Sequence, residues 1–242
     1  MEPSALSLTY DIVPVRTLGR AERDDLWTVY RRHFDADRAA LDQSLERSDQ
    51  VTRFRQRGTG RLCGLVAMSL REAEHEGRRF FWLWAGALAI DRECRGKWLL
   101  ERSGLDALAR YRVRHPTAPL FWIYESNSFQ SYRMMARSFD VFWPHPTRET
   151  PAWERGVVEK LAMTSYPERW DAERRVLRPT GKKHVRAESS QTSTGDADPL
   201  RAFYRRVNPE AEAGASVVLM APLDWNNTRT LARRLVKGVP RG

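Results

Sequence analysis

Two apolar stretches, each followed by a helical pattern, constrain the fold of this chain more than any other feature. Residues 80–90 are typical of a buried strand, and a short basic turn at 95–97 separates them from a helix predicted over 98–114. A second apolar strand over 120–124 leads into another helix that runs to residue 139. Two strands joined through a helix are expected to lie side by side in parallel. Because ligands of α/β sheets bind where strands hand over to helices, the pattern predicts a site at these strand ends.

The flanking segments add strands and helices to this unit. Before it, the patterns predict a strand at 8–15, helices at 20–34 and 38–45, strands at 51–57 and 62–70, and a polar connection at 71–79. After it, they predict a helix from Pro151 through Leu161, a helical turn or strand at 201–207, a strand at 216–221 and a helix at 228–237. Adjacent strands joined by hairpins are antiparallel. The predicted fold class is α/β (α+β), with a mixed, mostly antiparallel central sheet flanked by helices.

The chain divides into a compact core and a longer second part. Residues 1–139 contain the predicted core. Residues 140–242 are expected to hold an insertion, a mobile polar loop at about 187–199, a late strand and a C-terminal helix. We expect this second part to complete or cover the same domain.

Composition narrows the class of protein. Hydrophobic residues make up 41% of the 242 residues, so a sizeable core can be buried. Two cysteines are too few for a disulfide framework, and the five histidines are too widely spaced for metal ligation. The sequence contains no secretory pattern and no long apolar run, which predicts a cytoplasmic protein without a membrane span. The dispersed net charge of +10 favours acidic partners, such as nucleic acid, a phosphate-bearing cofactor or an acidic carrier protein.

The order of elements, the basic turn and the pair Asn127 and Tyr132 resemble the GCN5-related N-acetyltransferase (GNAT) superfamily over about residues 8–139. In that family, a turn of pattern Gln/Arg-x-x-Gly-x-Gly/Ala after the fourth strand holds the pyrophosphate of coenzyme A. Arg95 matches the first position, whereas Trp98 and Leu100 stand where the family has small residues, so the turn is a degenerate form. The resemblance implies acyl-CoA or acetyl-CoA as co-substrate, without a metal, bound by Arg95, Gly96, Lys97, Trp98 and Leu99.

The resemblance also implies roles for residues on the two strands. In the family, a bulge in the strand before the turn exposes amides to the thioester, and Gly86 is the position in this strand that best suits a bulge. The pantetheine arm would then run along Leu88, Ala89 and Ile90. Asn127 matches a position that contacts the cofactor, although it also suits a helix N-cap.

Acyl transfer to an amine needs a general base and a general acid. The resemblance implies that Tyr132 protonates the departing thiolate. Glu125 is the nearest carboxylate for the base, and Asp91 is the alternative.

Three functions remain open at this point. The first is acyl transfer from a thioester to a small-molecule or peptide amine; the bulky turn and the positive charge make an acidic acyl carrier protein a second candidate donor. The second is a catalytically inactive module of the same fold that binds a ligand or a protein. The third is a nucleic-acid-binding protein, which charge and aromatic content alone suggest.

Overall fold

The structure, a computed structural model, describes residues 7–95, 99–179, 184–185 and 198–237. The strands are β1 Leu8–Pro14, β2 Phe34–Asp35, β3 Gln50–Gln56, β4 Leu62–His75, β5 Arg78–Ile90, β6 Leu120–Ser126, β7 Trp170–Asp171, β8 Val176–Leu177, β9 His184–Val185 and β10 Ser216–Pro222. The α-helices are α1 Arg20–His33, α2 Arg38–Glu46, α3 Leu99–Arg114, α4 Phe129–Ser138, α5 Ala152–Ser165, α6 Pro199–Val207 and α7 Trp225–Lys237. Short 3-10 turns occupy Val15–Thr17, Arg92–Cys94 and Ala211–Ala213.

Eight of these strands form one sheet in the order β1-β3-β4-β5-β6-β10-β8-β7. Strands β5 and β6 pair in parallel, while the other pairings in the sheet are antiparallel. The remaining strands, β2 and β9, pair with each other. The predicted fold class, a mixed and mostly antiparallel sheet flanked by helices, is confirmed.

The hairpin of β4 and β5 is longer than the sequence predicts. Residues 71–79 were expected to form a polar connection, but β4 continues to His75 and β5 begins at Arg78. The turn contains Glu76 and Gly77, both with positive φ. Each polar residue of β4 has a partner on β5, from Arg71 opposite Trp82 to His75 opposite Arg78. The polar residues 71–75 therefore form a strand rather than a loop. Pairing with β5 provides hydrogen-bond partners for the backbone groups of both strands.

Helices cover both faces of the sheet. On the first face, α3, α4, α6 and α7 contribute to one large apolar cluster. On the second face, α1 and α2 pack against one end of the sheet and α5 against the other, which gives two separate clusters. Strand β5 contributes to both faces because its side chains alternate, with Phe81 and Leu83 on the first and Phe80 and Trp82 on the second.

The later segments extend the same sheet, since β10 pairs with β6 along Val217 to Pro222. The segment at 201–207 is helical and belongs to α6, and α7 begins at Trp225, three residues before the predicted start. The polar loop predicted at about 187–199 lies almost entirely outside the described residues. The division at residue 139 stays a prediction. Among the described residues, no helix is both long enough and apolar enough to cross a membrane.

Candidate active site at a fork between two parallel strands

Strands β5 and β6 are paired over only part of their length. The register joins Phe81 to Leu120 and ends with Trp84 opposite Ile123. Beyond that pair, β5 continues to Ile90 and β6 continues to Ser126 without pairing to each other. We call the gap between residues 85–90 and 124–126 the fork. Unpaired backbone groups along such a gap are available to a ligand that lies between the strands.

A bulge in β5 lies at the base of the fork. Val66 pairs with Leu88 and Met68 with Ala85, so Gly86 and Ala87 together lie opposite one residue of β4. The predicted bulge at Gly86 is therefore present. Glycine fits there without displacement of its neighbours, whereas a Cβ atom would lie 2.3 Å from the Trp84 indole and 2.5 Å from Ser44 Oγ, so one of these side chains would have to shift.

One backbone amide of the bulge, that of Ala87, already has a partner. The Ala87 N–H donates to the hydroxyl of Ser44, at 2.8 Å, on helix α2. In the resemblance, amides of this bulge meet the thioester carbonyl. A ligand carbonyl that accepted from Ala87, as the resemblance implies, would have to displace the Ser44 hydroxyl.

The residues predicted to hold the pantetheine arm follow the bulge. Leu88 and Ile90 are half-buried against the first-face cluster, whereas Ala89 is buried on the second face with α1 and α2. The Ile90 carbonyl accepts a hydrogen bond from Arg95 Nε at 2.8 Å. Arg95 therefore folds back on the end of β5 and is attached to the predicted binding strand.

Part of the predicted pyrophosphate turn cannot be compared with the structure. Gly96, Lys97 and Trp98 lie outside the described residues. Leu99, the first described residue of α3, has a buried side chain in the first-face cluster. A ligand at this turn would therefore contact the backbone of Leu99 rather than its side chain.

A buried ionic cluster lies at the end of β5. Asp91 is 6% exposed, and its carboxylate lies 3.1 Å from both His33 Nε2 and Arg32 Nη2. The other ring nitrogen of His33, Nδ1, lies 3.4 Å from Arg95 Nη2. Since an arginine can only donate, His33 accepts at Nδ1 and donates from Nε2 to Asp91, which requires a neutral imidazole. Asp91, the alternative base, thus helps to position Arg95 through His33.

This cluster predicts a specific dependence of stability on pH. Burial lowers the pKa of His33, and this outweighs the hydrogen bond to Asp91, which raises it. The unfolded chain, with an ordinary histidine pKa of about 6.5, therefore binds a proton more readily than the folded protein. The contribution of a neutral His33 is fully present above about pH 6.5 and is lost as the pH falls through the lower folded pKa.

We expect the free energy of unfolding in urea to fall between neutral pH and about pH 5, and to fall less in His33→Gln than in the wild type. His115 is half-buried against Phe81 and Tyr111, and the variant His115→Gln serves as the control. Equal losses of stability in the wild type and in His33→Gln would contradict the assignment.

On the second face, Glu125 lies beside the fork in a polar cluster. Its carboxylate forms an ion pair with Arg169, with 3.0 Å between Nη1 and Oε2. The Arg169 guanidinium in turn lies 5.2 Å from the centre of the Tyr166 ring. An ion pair of this exposure contributes about 0–1 kcal/mol to stability, so it orients Glu125 more than it holds the fold together.

Tyr166 follows α5 and reaches the same cluster. Burial raises its pKa to about 12, the negative charge of Glu125 adds to this, and a hydrogen bond from Trp84 lowers it. The hydroxyl is therefore protonated at neutral pH, and its partner Trp84 is the last residue of β5 that pairs with β6. A protonated phenol in this position can donate a proton, and an ionised carboxylate can accept one.

Tyr132 and Asn127 lie near the ends of the same strands but in different surroundings. Tyr132 is fully buried in α4, and its hydroxyl donates to the carbonyl of Pro144 at 3.0 Å. Burial raises the pKa of Tyr132 above its usual range. Asn127 is half-buried just after β6, and the N-cap of α4 is Ser128, which accepts from the Ser131 amide. The cap suggested for Asn127 is therefore wrong, while its contact with a cofactor stays a prediction.

Sequence reasoning missed Tyr166, Arg169 and Ser44. No local pattern marks them, because each reaches the fork from an element that is distant along the chain. Folding brings Arg169 to Glu125, Tyr166 to Arg169, and Ser44 to the bulge at Gly86 and Ala87. Within the described ranges, no group of His, Cys, Asp and Glu residues is arranged to hold a metal ion.

Comparisons with known proteins were made for sequence and structure. No family model matches the sequence, and no curated protein matches it. Among solved structures, the chain is similar to a GNAT family N-acetyltransferase from Escherichia coli in complex with CoA, with 18% identity, a TM-score of 0.39, and 55% of this chain and 70% of that chain covered. It is similar to a conserved protein of unknown function from Enterococcus faecalis V583, with 15% identity and a TM-score of 0.41. The match covers 55% of this chain and 33% of that chain.

A third similar structure is the N-myristoyltransferase of Saccharomyces cerevisiae with bound myristoyl-CoA, with 11% identity and a TM-score of 0.38. The match covers 52% of this chain and 30% of that chain. The chain thus spans about a third of the length of the Enterococcus and Saccharomyces proteins. Within the chain itself, two helices follow β1, three antiparallel strands lead to α3, and β6 returns parallel to β5 before α4. This order and pairing confirm the predicted order of elements and the predicted parallel pair of strands.

Proposed function

We propose that the protein is an N-acyltransferase that moves an acyl group from a thioester to an amine. The observation that carries this proposal is the fork, where β5 and β6 part after Trp84 and Ile123 with a bulge on one side and Glu125 on the other. A pantetheine arm is narrow and rich in amides, so it can enter between two strands and bond to their unpaired backbone groups. Acyl-CoA or acetyl-CoA is the proposed donor, with an acidic acyl carrier protein as the alternative carrier of the same arm.

The reaction exchanges one bond at the carbonyl carbon. The amine nitrogen attacks the thioester carbon, a C–N bond forms, and the C–S bond breaks to give an amide and a thiol. One proton leaves the nitrogen, and one is gained by the sulfur. Glu125 is the proposed acceptor of the first proton, through a water molecule, because it is the carboxylate beside the fork.

The proposed proton donor is a tyrosine, and two tyrosines are candidates for this role. The resemblance assigns the role to Tyr132, whose hydroxyl is bonded to the Pro144 carbonyl. The second-face cluster favours Tyr166, because its ring lies 5.2 Å from the Arg169 guanidinium that pairs with Glu125, and its hydroxyl bonds to Trp84. Substitution of each tyrosine separates these assignments, as described in the Discussion.

Thiol release tests the proposed reaction. The purified chain is incubated with acyl-CoA and acyl-carrier-protein donors and a panel of amino acids, polyamines, amino sugars and peptide amines. We expect amine-dependent release with at least one pair, a lower rate in Glu125→Gln, and no change in Glu168→Gln, which alters an exposed carboxylate next to Arg169. If no pair releases thiol above background, the proposal is wrong. A cytoplasmic site of action is part of the proposal, and cell fractionation tests it.

The occupied bulge amide favours a second function, a module that binds a thioester or its carrier without turnover. Ser44 already satisfies Ala87, and the Trp84 indole lies against Gly86. This function predicts measurable binding of CoA or an acyl-CoA with no thiol release, both in the wild type and in Ser44→Ala. Release in either protein would contradict it.

A further inference from the structure

The boundary between the two apolar clusters of the second face lies at the base of the fork. Trp82 and Trp84 of β5 belong to the cluster under α5, whereas Ala87 and Ala89 belong to the cluster under α1 and α2. At this boundary Trp84 is half-buried, and the Glu125 side chain across the fork is 37% exposed. A molecule from solvent can therefore reach the second face of the fork between these two groups of helices.

Arg71 of β4 lies over this boundary. Its guanidinium carbon is 5.6 Å from the centre of the Trp82 ring and 5.3 Å from the centre of the Trp84 ring. Its Nη2 donates to the backbone carbonyl of Arg47, the C-cap residue of α2, at 2.9 Å. Within the described ranges, this carbonyl is the one acceptor that Arg71 bonds. Because a guanidinium has five N–H donors, Arg71 is held in place by the indoles and still has donors for a ligand.

Two arginines at this boundary have no carboxylate partner among the described residues. Glu125 is paired with Arg169, whereas neither Arg47 nor Arg71 forms an ion pair there. Burial raises the pKa of Tyr166, and the positive charges of Arg169 and Arg47 act against this increase, so both arginines act on the same hydroxyl. The second face of the fork therefore combines one oriented carboxylate with two guanidinium groups that are available to an anion.

We propose that the amine acceptor carries an anionic group, a carboxylate or a phosphate, and that Arg71 and Arg47 bind this group. This inference rests on the proposed function and names the class of its acceptor. The amine nitrogen would lie beside Glu125, the proposed base. The planar guanidinium of Arg71 offers the paired donors that match the two oxygens of a carboxylate or phosphate.

The sheet sets the spacing between the two ends of such an acceptor. β5 lies between β4, which carries Arg71, and β6, which carries Glu125. Two strand spacings are about 10 Å. Amines with several carbons between the nitrogen and the anion are therefore the appropriate probes.

Matched pairs of amines test the proposed acceptor class in the thiol-release assay. In each pair the two amines have the same number of carbons and differ in the anion: 4-aminobutyrate and butylamine, 6-aminohexanoate and hexylamine, 3-aminopropyl phosphate and propylamine. We expect kcat/KM to be about tenfold higher for the anionic member of at least one pair, because its hydrogen bonds involve two charged groups. The pair with the largest ratio distinguishes a carboxylate from a phosphate.

Variants of the two arginines connect this preference to the boundary. Arg71→Gln and Arg47→Gln should each raise KM for the anionic amine about tenfold, and leave its kcat and the kinetics of the matched simple amine within about twofold. Arg71→Lys keeps the charge without the planar fork and should recover part of the loss. Arg78→Gln is the control, because Arg78 also lies over an indole, that of Trp153 at 4.6 Å, but at the other end of β5. It should leave the preference unchanged.

A separate measurement excludes binding of the donor by the same arginines. Dissociation constants of CoA are determined by calorimetry for the wild type, Arg71→Gln and Arg47→Gln. We expect them to agree within about twofold, because the proposed anion belongs to the acceptor. A loss of CoA affinity as large as the rise in KM would show that these arginines bind the phosphates of the donor, and would overturn the inference.

The outcomes also separate this inference from the proposed function. Thiol release with equal kcat/KM in every matched pair, or a preference for anionic amines that survives in both glutamine variants, overturns the anion site and leaves the transferase standing. If no pair releases thiol, calorimetry of 6-aminohexanoate and 3-aminopropyl phosphate with CoA present still tests the site. Binding that is lost in Arg71→Gln keeps the anion site without turnover, and absence of binding overturns both. Circular dichroism of each variant shows that it is folded, and Arg47, which is exposed, provides a second test if Arg71→Gln does not fold.

Discussion

Replacing Tyr166 with phenylalanine should lower the rate of thiol release about a hundredfold and leave the dissociation constant of the thioester nearly unchanged. The substitution removes the hydroxyl together with its hydrogen bond from Trp84, and the ring keeps its contact with Arg169. Burial, with the charge of Glu125, raises the pKa of Tyr166 to about 12, so the hydroxyl holds its proton throughout the neutral range. Its removal deprives the departing thiolate of a donor. Steady-state kinetics with the best donor and amine measure the effect.

Tyr132→Phe is the matched comparison. The substitution removes the hydrogen bond to the Pro144 carbonyl and should cost about 1 kcal/mol of stability, with little change in rate. The reverse result, a hundredfold loss in Tyr132→Phe and none in Tyr166→Phe, would assign the acid to Tyr132, as the resemblance implies. Equal rates in the wild type and in both variants would exclude Tyr132 and Tyr166 as the proton donor.

Asn227→Ala should lower the free energy of unfolding by about 3–4 kcal/mol. The side chain is fully buried in α7, and its amide group bonds to the segment that follows α4 and to the end of β10. Oδ1 accepts from the amides of Asp140 and Val141, and Nδ2 donates to the carbonyls of Val141 and Pro222, at 2.7–3.2 Å. Alanine leaves these four backbone groups without their partner, at about 1 kcal/mol each in partly buried surroundings. Urea denaturation measures the loss.

The neighbouring residue provides the control for this effect. Asn226 has the same side chain but is exposed on the same helix. Asn226→Ala should change the free energy of unfolding by less than about 0.5 kcal/mol. A loss in Asn227→Ala no larger than that in Asn226→Ala would show that the buried amide does not tie the helix to residues 140–141.

Local patterns in the sequence predicted the unit around the fork. The apolar runs of β5 and β6, with the helical pattern between them, specified a parallel pair, and a glycine inside a bulky strand marked the bulge. Each signal depends on neighbours along the chain, because side-chain period and backbone freedom are local properties. Glu125 was predicted from its place at a strand end for the same reason.

The polar hairpin and the surroundings of the site depended on contacts between distant residues. Residues 71–75 form part of β4 because β5 pairs with them, while Ser44 reaches the bulge from α2 and Tyr166 reaches Trp84 from the end of α5. The sequence by itself therefore determined which strands run side by side and where one of them must bend. Only the tertiary structure decided which hydroxyl lies at that bend and which guanidinium pairs with Glu125, because the packing of distant segments onto the sheet sets those distances.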